Sequence, residues 1–169
     1  AKALAYTWRV PYVPVHHIEG HIFSVFLAES APEFPFLALI VSGGHTLLIR
    51  CDKPHQYELL GTTRDDAIGE CFDKVARLLN LPYPGGPSIQ RTAETGDPRA
   101  IAFPRAMAAN DSLEFSYSGL KTAVLYKLRE NGHKTEDVAA SFQFAAVEIL
   151  IRKTRAALKR TGLPALVVA

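Results

Sequence analysis

An α/β layered fold is predicted by three features of the chain. Apolar runs of strand length lie at Phe36 to Val41 and Thr46 to Arg50, amphipathic helical stretches follow them, and an apolar strand closes the sequence at Leu166 to Ala169. The element order is helix, strands, helices, strand. Elements with one apolar face must bury it on another layer, and this order lays helices over a sheet.

The elements follow from local patterns. Residues 1 to 9 read as the end of a helix, and the prolines of Val10-Pro11-Tyr12-Val13-Pro14-Val15 make that segment an extended link. From His17 to about Ala28, Ile18, Ile22, Val25 and Phe26 recur at helical spacing. Pro32-Glu33-Phe34-Pro35 reads as a connector or hinge. Gly43-Gly44 between the first two strands predicts a tight turn, and Gln56 to Leu60 is a third strand. A helix is expected from Asp66 to Leu79, with Ile68, Cys71, Phe72, Val75 and Leu79 as its apolar stripe and Asp66, Glu70 and Asp73 opposite. Pro82 to Pro87 is expected as a loop, followed by a short helix from Ser88 to Glu94 and an irregular stretch to about Glu114. Helices are then expected over Ser118 to Glu130 and Thr135 to Thr161. The second has acidic Glu136 and Asp137 in its first turn, basic Lys159 and Arg160 in its last, and Gly162 as its stop.

Composition bounds the class. The chain of 169 residues is long enough for one domain with its own core, and 48% hydrophobic with 21% charged residues is ordinary for a globular protein. A formal net charge of +2 neither demands nor excludes a nucleic-acid partner. Two cysteines, Cys51 and Cys71, make no disulfide framework and fit a reducing compartment. No apolar run approaches the roughly 20 residues that span a bilayer, and no signal peptide is visible. The first residue is not methionine and the last strand has no turn after it, so the chain reads as an internal piece of a larger protein.

Four groups of residues carry chemistry. His16-His17-Ile18-Glu19-Gly20-His21 holds three of the six histidines. On a helix, His17 and His21 stand one above the other, a spacing at which two imidazoles share a metal ion or else cap and hydrogen-bond locally. The zinc-protease pattern needs Glu directly after the first His, and here Ile18 takes that place with Glu19 one residue further round. Ser42-Gly43-Gly44-His45 is either a hairpin turn requiring positive φ or a turn whose unhindered N–H groups approach a phosphate or carbonyl. It lacks the Gly-Lys-Ser/Thr ending of a Walker loop. Asp65, Asp66, Glu70 and Asp73 read as the solvated side of a helix, with ribose binding by one of them as the alternative. Gly85-Gly86 is a proline-flanked turn or a close-approach loop over a ligand. Lys153, Arg155, Lys159 and Arg160 are expected to face solvent, with a tRNA contact as the alternative.

Several motifs occur together in one order: His17-Ile-Glu-Gly-His21, Ile40-Val-Ser-Gly-Gly-His-Thr46, Asp65-Asp66-Ala67, Gly69-Glu70, Phe72-Asp73-Lys74, Tyr83-Pro-Gly-Gly-Pro87 and Ser116-Tyr-Ser-Gly-Leu-Lys-Thr122. This set resembles the tRNA threonylcarbamoyladenosine transferase family (TsaD type), formerly described as O-sialoglycoprotein endopeptidases, and the resemblance runs from Ala1 to Ala169. It implies a two-lobed, actin-like and sugar-kinase-like (ASKHA, ribonuclease-H-like) fold with a nucleotide cleft. Residues 1–34 would end the first lobe and 35–169 would form most of the second. His17 and His21 would hold one divalent metal ion, iron or else zinc, acting as Lewis acid and template. Ile40, Val41, Ser42, Gly43 and Gly44 would cradle the substrate, with Asp73 and Gly86 around its adenosine. Gln90 lies where some members carry an acidic residue expected at the ribose.

The implied activity is transfer of the threonylcarbamoyl group from threonylcarbamoyl-adenylate to the exocyclic amine of the adenosine beside the anticodon in tRNAs reading codons that start with A. The implied partners are tRNA and, in bacteria, a pseudo-enzyme paralogue and a small ATPase, with no membrane. Bacterial cytoplasm is the expected compartment and a mitochondrion the alternative. The family's asparagine motif and its third metal ligand, a downstream aspartate, are not among these residues, so the isolated chain is expected to be inactive. The competing readings are a metal-dependent glycoprotein endopeptidase and a non-catalytic, partner-binding paralogue.

Overall fold

The computed structural model describes residues 1–106, 111–130 and 132–169; the part of the expected irregular stretch at 107–110 lies outside them. Helix α1 is Lys2–Trp8 and α2 is His17–Ser24, extended by one 3₁₀ turn at Val25–Leu27. Strands β1 (Phe36–Val41), β2 (Thr46–Lys53) and β3 (Gln56–Thr62) precede helices α3 (Ile68–Leu78), α4 (Gly85–Ala93), α5 (Ser118–Arg129) and α6 (Thr135–Thr161), and β4 (Leu166–Val168) comes last. The sheet runs β3-β2-β1-β4: β1, β2 and β3 pair antiparallel, while β4 lies parallel to β1, so the connection across the helices is a crossover.

Both faces of β1 are covered, which is why its sequence is apolar throughout rather than alternating. Leu37 and Leu39 enter the larger core with residues of α3, α5 and α6. Phe36, Ala38 and Ile40 enter the smaller one, closed by Ile22 of α2 with Ile18 and Phe26 beside it. Successive side chains alternate between the two layers as the pleat requires.

Three expectations need correction. The helix expected from Asp66 begins at Ile68, so Asp65 and Asp66 stand outside it. The loop expected over Pro82 to Pro87 ends early, because α4 starts at Gly85. A Cβ on Gly85 would lie 2.5 Å from the Cα of Asp73, so the bare residue is what lets α4 cross α3 closely. Lys153 does not face solvent: it is 2% exposed and donates to the Ser112 carbonyl at 2.5 Å. Four-residue spacing puts it between buried Ile149 and Ala157 on the core-facing stripe of α6.

The long helix keeps its expected bounds and ends on Gly162 at φ 67°. The β2–β3 hairpin turns over two residues, Pro54-His55, with His55 at φ 63°. Among the described residues no helix is long and apolar enough to cross a membrane.

Candidate functional site

On α2, i to i+4 spacing assigns its residues to distinct faces. Ile18 and Ile22 turn to the sheet, and His17 and His21 form a pair of their own. Their Nε2 atoms are 3.2 Å apart and the rings meet edge to face. No side chain caps the helix start, but 3.2 Å between the two Nε2 atoms is hydrogen-bond distance, so the local hydrogen-bond reading stands beside the metal one. Two imidazoles bound at about 2.0–2.1 Å to one tetrahedral metal would hold their nitrogens about 3.3 Å apart, so this spacing fits a shared ion. Among the described residues no group of three or more ligating side chains gathers there, and the chain supplies two donors.

The third imidazole nearby was not anticipated. His45, which ends the glycine turn, has its ring 5.9 Å from that of His17. Its signal in the sequence was adjacency to Gly43-Gly44, but only the β1–β2 hairpin carries it to α2.

The glycine turn closes by a hydrogen bond from Ser42 N–H to the His45 carbonyl (2.9 Å). The Ser42 hydroxyl oxygen accepts from His45 N–H (3.0 Å) and Gly44 N–H (3.3 Å). Neither Gly43 nor Gly44 has positive φ, so the turn does not need glycine for that reason. A Cβ on either would meet nothing within 4 Å. Both are exposed and the Gly43 N–H has no partner among the described residues, which leaves the backbone open to a ligand. Ile40 is different: its side chain is wholly buried under α2, so it contributes only through its backbone and by fixing the strand.

The turn is fastened to α3. The Ile68 N–H donates to the buried Thr46 hydroxyl (2.8 Å) and the Gly69 N–H to the Ser42 carbonyl (3.2 Å), satisfying two orphan amides of the α3 N-terminus. A Cβ on Gly69 would lie 2.7 to 2.9 Å from backbone atoms of Ser42 and Gly43. One turn further along α3, the Asp73 carboxylate accepts from Gly85 N–H at 2.7 Å. Gly86 beside it has open space around its Cα, and Gln90 is exposed one turn beyond on α4. Asp73, Glu70, Lys74, Arg77, Tyr83 and Gly85 border one cleft of about 630 Å³. The expected residues therefore form a continuous strip, from His21 and His17 through the glycine turn to Asp73, Gly86 and Gln90.

Asp65 and Asp66 precede the helix, and although Asp65 is exposed and Asp66 partly so, both carboxylates are engaged by the chain. Asp65 accepts from Tyr117 N–H (2.7 Å), Ser118 N–H (3.1 Å) and the hydroxyls of Ser116 (2.5 Å) and Ser118 (2.8 Å), capping α5 from outside. Asp66 pairs with Lys74 (2.6 Å) and Lys121 (2.7 Å). Desolvation raises both carboxyls, but the hydrogen bonds outweigh it and hold each below the ordinary carboxylate value. Burial pushes the Cys51 and Cys71 thiols up to about 12, which makes them inert packing groups.

A mixed-sheet α/β layer that presents an open glycine turn between paired histidines and an acidic helix junction has the build of an ASKHA-type enzyme lobe. The chain belongs to the tRNA N6-adenosine threonylcarbamoyltransferase family, whose model matches residues 1–169. It is similar to proteins of that name from Bordetella petrii (51% identical over all of this chain and 51% of the relative) and Chromobacterium violaceum (50%, over all of this chain and 52% of the relative). Another, from Trichlorobacter lovleyi, is 54% identical over 99% of this chain and 50% of the relative. The chain thus spans about half the length of the curated relatives it matches.

Proposed function

We propose that the protein carrying this chain transfers a threonylcarbamoyl group from threonylcarbamoyl-adenylate to the exocyclic amine of the adenosine next to the anticodon, in tRNAs reading codons that start with A. The observation that carries the reading is the strip itself: paired Nε2 atoms 3.2 Å apart, set beside an open glycine backbone. In the reaction the adenosine amine attacks the carbamoyl carbon of the mixed anhydride. The bond from that carbon to the phosphate oxygen breaks, adenosine monophosphate leaves, and the amine gives up a proton.

The Gly43 N–H, which has no partner among the described residues, would face the charge that develops on the leaving phosphate, and Ser42 and Gly44 would shape the turn around it. Ile40 and Val41 hold that turn in place through β1. Asp73, Gly86 and Gln90 would line the adenosine end. His17 and His21 would hold one divalent metal ion, iron or else zinc, which supplies Lewis-acid polarisation of the carbamoyl carbonyl. Residues 1–34 would close one lobe and 35–169 form most of a second. The partners would be tRNA and, in bacteria, a pseudo-enzyme paralogue and a small ATPase, in the cytoplasm; a mitochondrial protein would use the same chemistry.

The endopeptidase reading lacks its base, because the Glu19 carboxylate is engaged by His55 and Tyr57. A non-catalytic paralogue is disfavoured by the intact glycine turn and Asp73. The test is transfer by the full-length protein and its bacterial partner subunits, supplied with threonylcarbamoyl-adenylate and tRNA and read as modified nucleoside by mass spectrometry. His17→Ala and Gly43→Val are expected to abolish most of it. Full transfer by both variants, or none by the wild-type assembly, would overturn the reading.

A further inference from the structure

Glu19 stands between the two histidines in sequence but faces elsewhere. Its Oε1 is 2.6 Å from His55 Nδ1 and accepts the Tyr57 hydroxyl at 3.2 Å. Since an ionised carboxylate only accepts, His55 Nδ1 carries the proton. The Tyr57 hydroxyl in turn accepts the His55 N–H at 3.2 Å, so the two-residue turn and the carboxylate form one network. Phe23, one turn on from Glu19, sets its ring 5.8 Å from that of His55. Helix α2 therefore has three working faces: 18 and 22 on the core, 17 and 21 as the imidazole pair, 19 and 23 on the β2–β3 turn.

Apolar burial is non-directional, so by itself it fixes the roll of an eight-residue helix only loosely. A directional contact 36 residues away in sequence removes that freedom. Stability is a poor explanation for the contact, because the His55 side chain is 77% exposed and exposed pairs contribute little.

We propose that Glu19 is a positioning residue: by anchoring α2 to the β2–β3 turn through His55 and Tyr57, it sets the orientation in which His17 and His21 meet. The metal arm of this inference rests on reading that pair as a metal site; the anchoring arm does not. The experiment uses the full-length protein with Glu19→Ala, Glu19→Gln, and the double change His55→Ala with Tyr57→Phe. Zn²⁺ affinity is measured by competition with a chromophoric chelator. Backbone hydrogen exchange over residues 17–24 is measured on metal-free protein.

Glu19→Ala is expected to weaken Zn²⁺ binding about tenfold, as loss of an orienting partner does, and to speed exchange in α2 while the urea midpoint stays put. Glu19→Gln is expected to retain most of the affinity, because an amide oxygen still accepts both bonds. The double change should reproduce Glu19→Ala, and adding Glu19→Ala to it should do nothing more. Unchanged α2 exchange in Glu19→Ala overturns the proposal, as does a Gln variant as weak as the Ala variant, which would mean that the charge acts on the metal directly. If wild-type protein binds no Zn²⁺ or Fe²⁺, the metal reading fails, while the exchange data still decide the anchoring.

Discussion

The junction around the start of α3 and the strip beside it are both dense in polar residues and glycines, yet they are built in opposite ways. At the junction the carboxylates and glycines are answered from within the chain, with the buried Tyr117 hydroxyl as an exception. Asp65 accepts four hydrogen bonds, Asp66 holds two lysines, and Gly69 and Gly85 are filled by neighbouring backbone. On the strip, His17 and His21 pair with each other, with the His45 ring 5.9 Å from His17, and Gly43, Gly44 and Gly86 border empty space. Folding leaves few buried polar groups unanswered, so a saturated cluster reports architecture. A cluster left open on a rigid frame reports something that comes from outside.

Substitution breaks or sharpens this contrast. The largest effect is expected from Gly69→Ala and Gly85→Ala, where a Cβ would lie under 3.0 Å from backbone that cannot yield; each should destabilise the fold by about 2 kcal/mol in urea unfolding. Gly43→Ala and Gly44→Ala, by contrast, should leave stability within about 0.5 kcal/mol while weakening adenylate binding. Equal destabilisation at Gly69 and Gly43 would erase the distinction between the two regions.

Asp65→Ala should cost about 1 kcal/mol, the usual value of a helix cap, whereas His17→Ala should cost under about 0.5 kcal/mol and remove metal affinity instead. Acid should separate the regions too. Asp65 and Asp66 sit below the ordinary 3.8 in the folded state, so their contribution is fully present above that pH and is lost as pH falls through their folded values. The urea midpoint should therefore drop below about pH 3.8, and drop less in an Asp65→Asn, Asp66→Asn double variant. The smallest effect is a null one: native protein should give no reaction of Cys51 or Cys71 with a thiol reagent until it unfolds.

Much of this was legible in the residues themselves. Apolar period and end signals gave β1, α3 and α6, and at both ends of α6 the dipole-matched charges and Gly162 agree with the observed bounds. The histidine spacing and the glycine pair could be read because both are local, set by helical geometry and by one turn. What sequence left open was every question of partner. That the exposed Asp65 also caps α5 depends on Ser118, 53 residues away. Whether Lys153 meets water depends on the Ser112 carbonyl across the core. The Pro54-His55 turn, which lacks the usual Asn-Gly chemistry, shows its use only when Glu19 is seen against it. Local sequence determined the elements, their apolar faces and the candidate strip, because backbone preference and burial act over a few residues. Tertiary structure alone decided which polar groups are spent on the fold and which stay free for chemistry, since that depends on contacts between segments far apart in the chain.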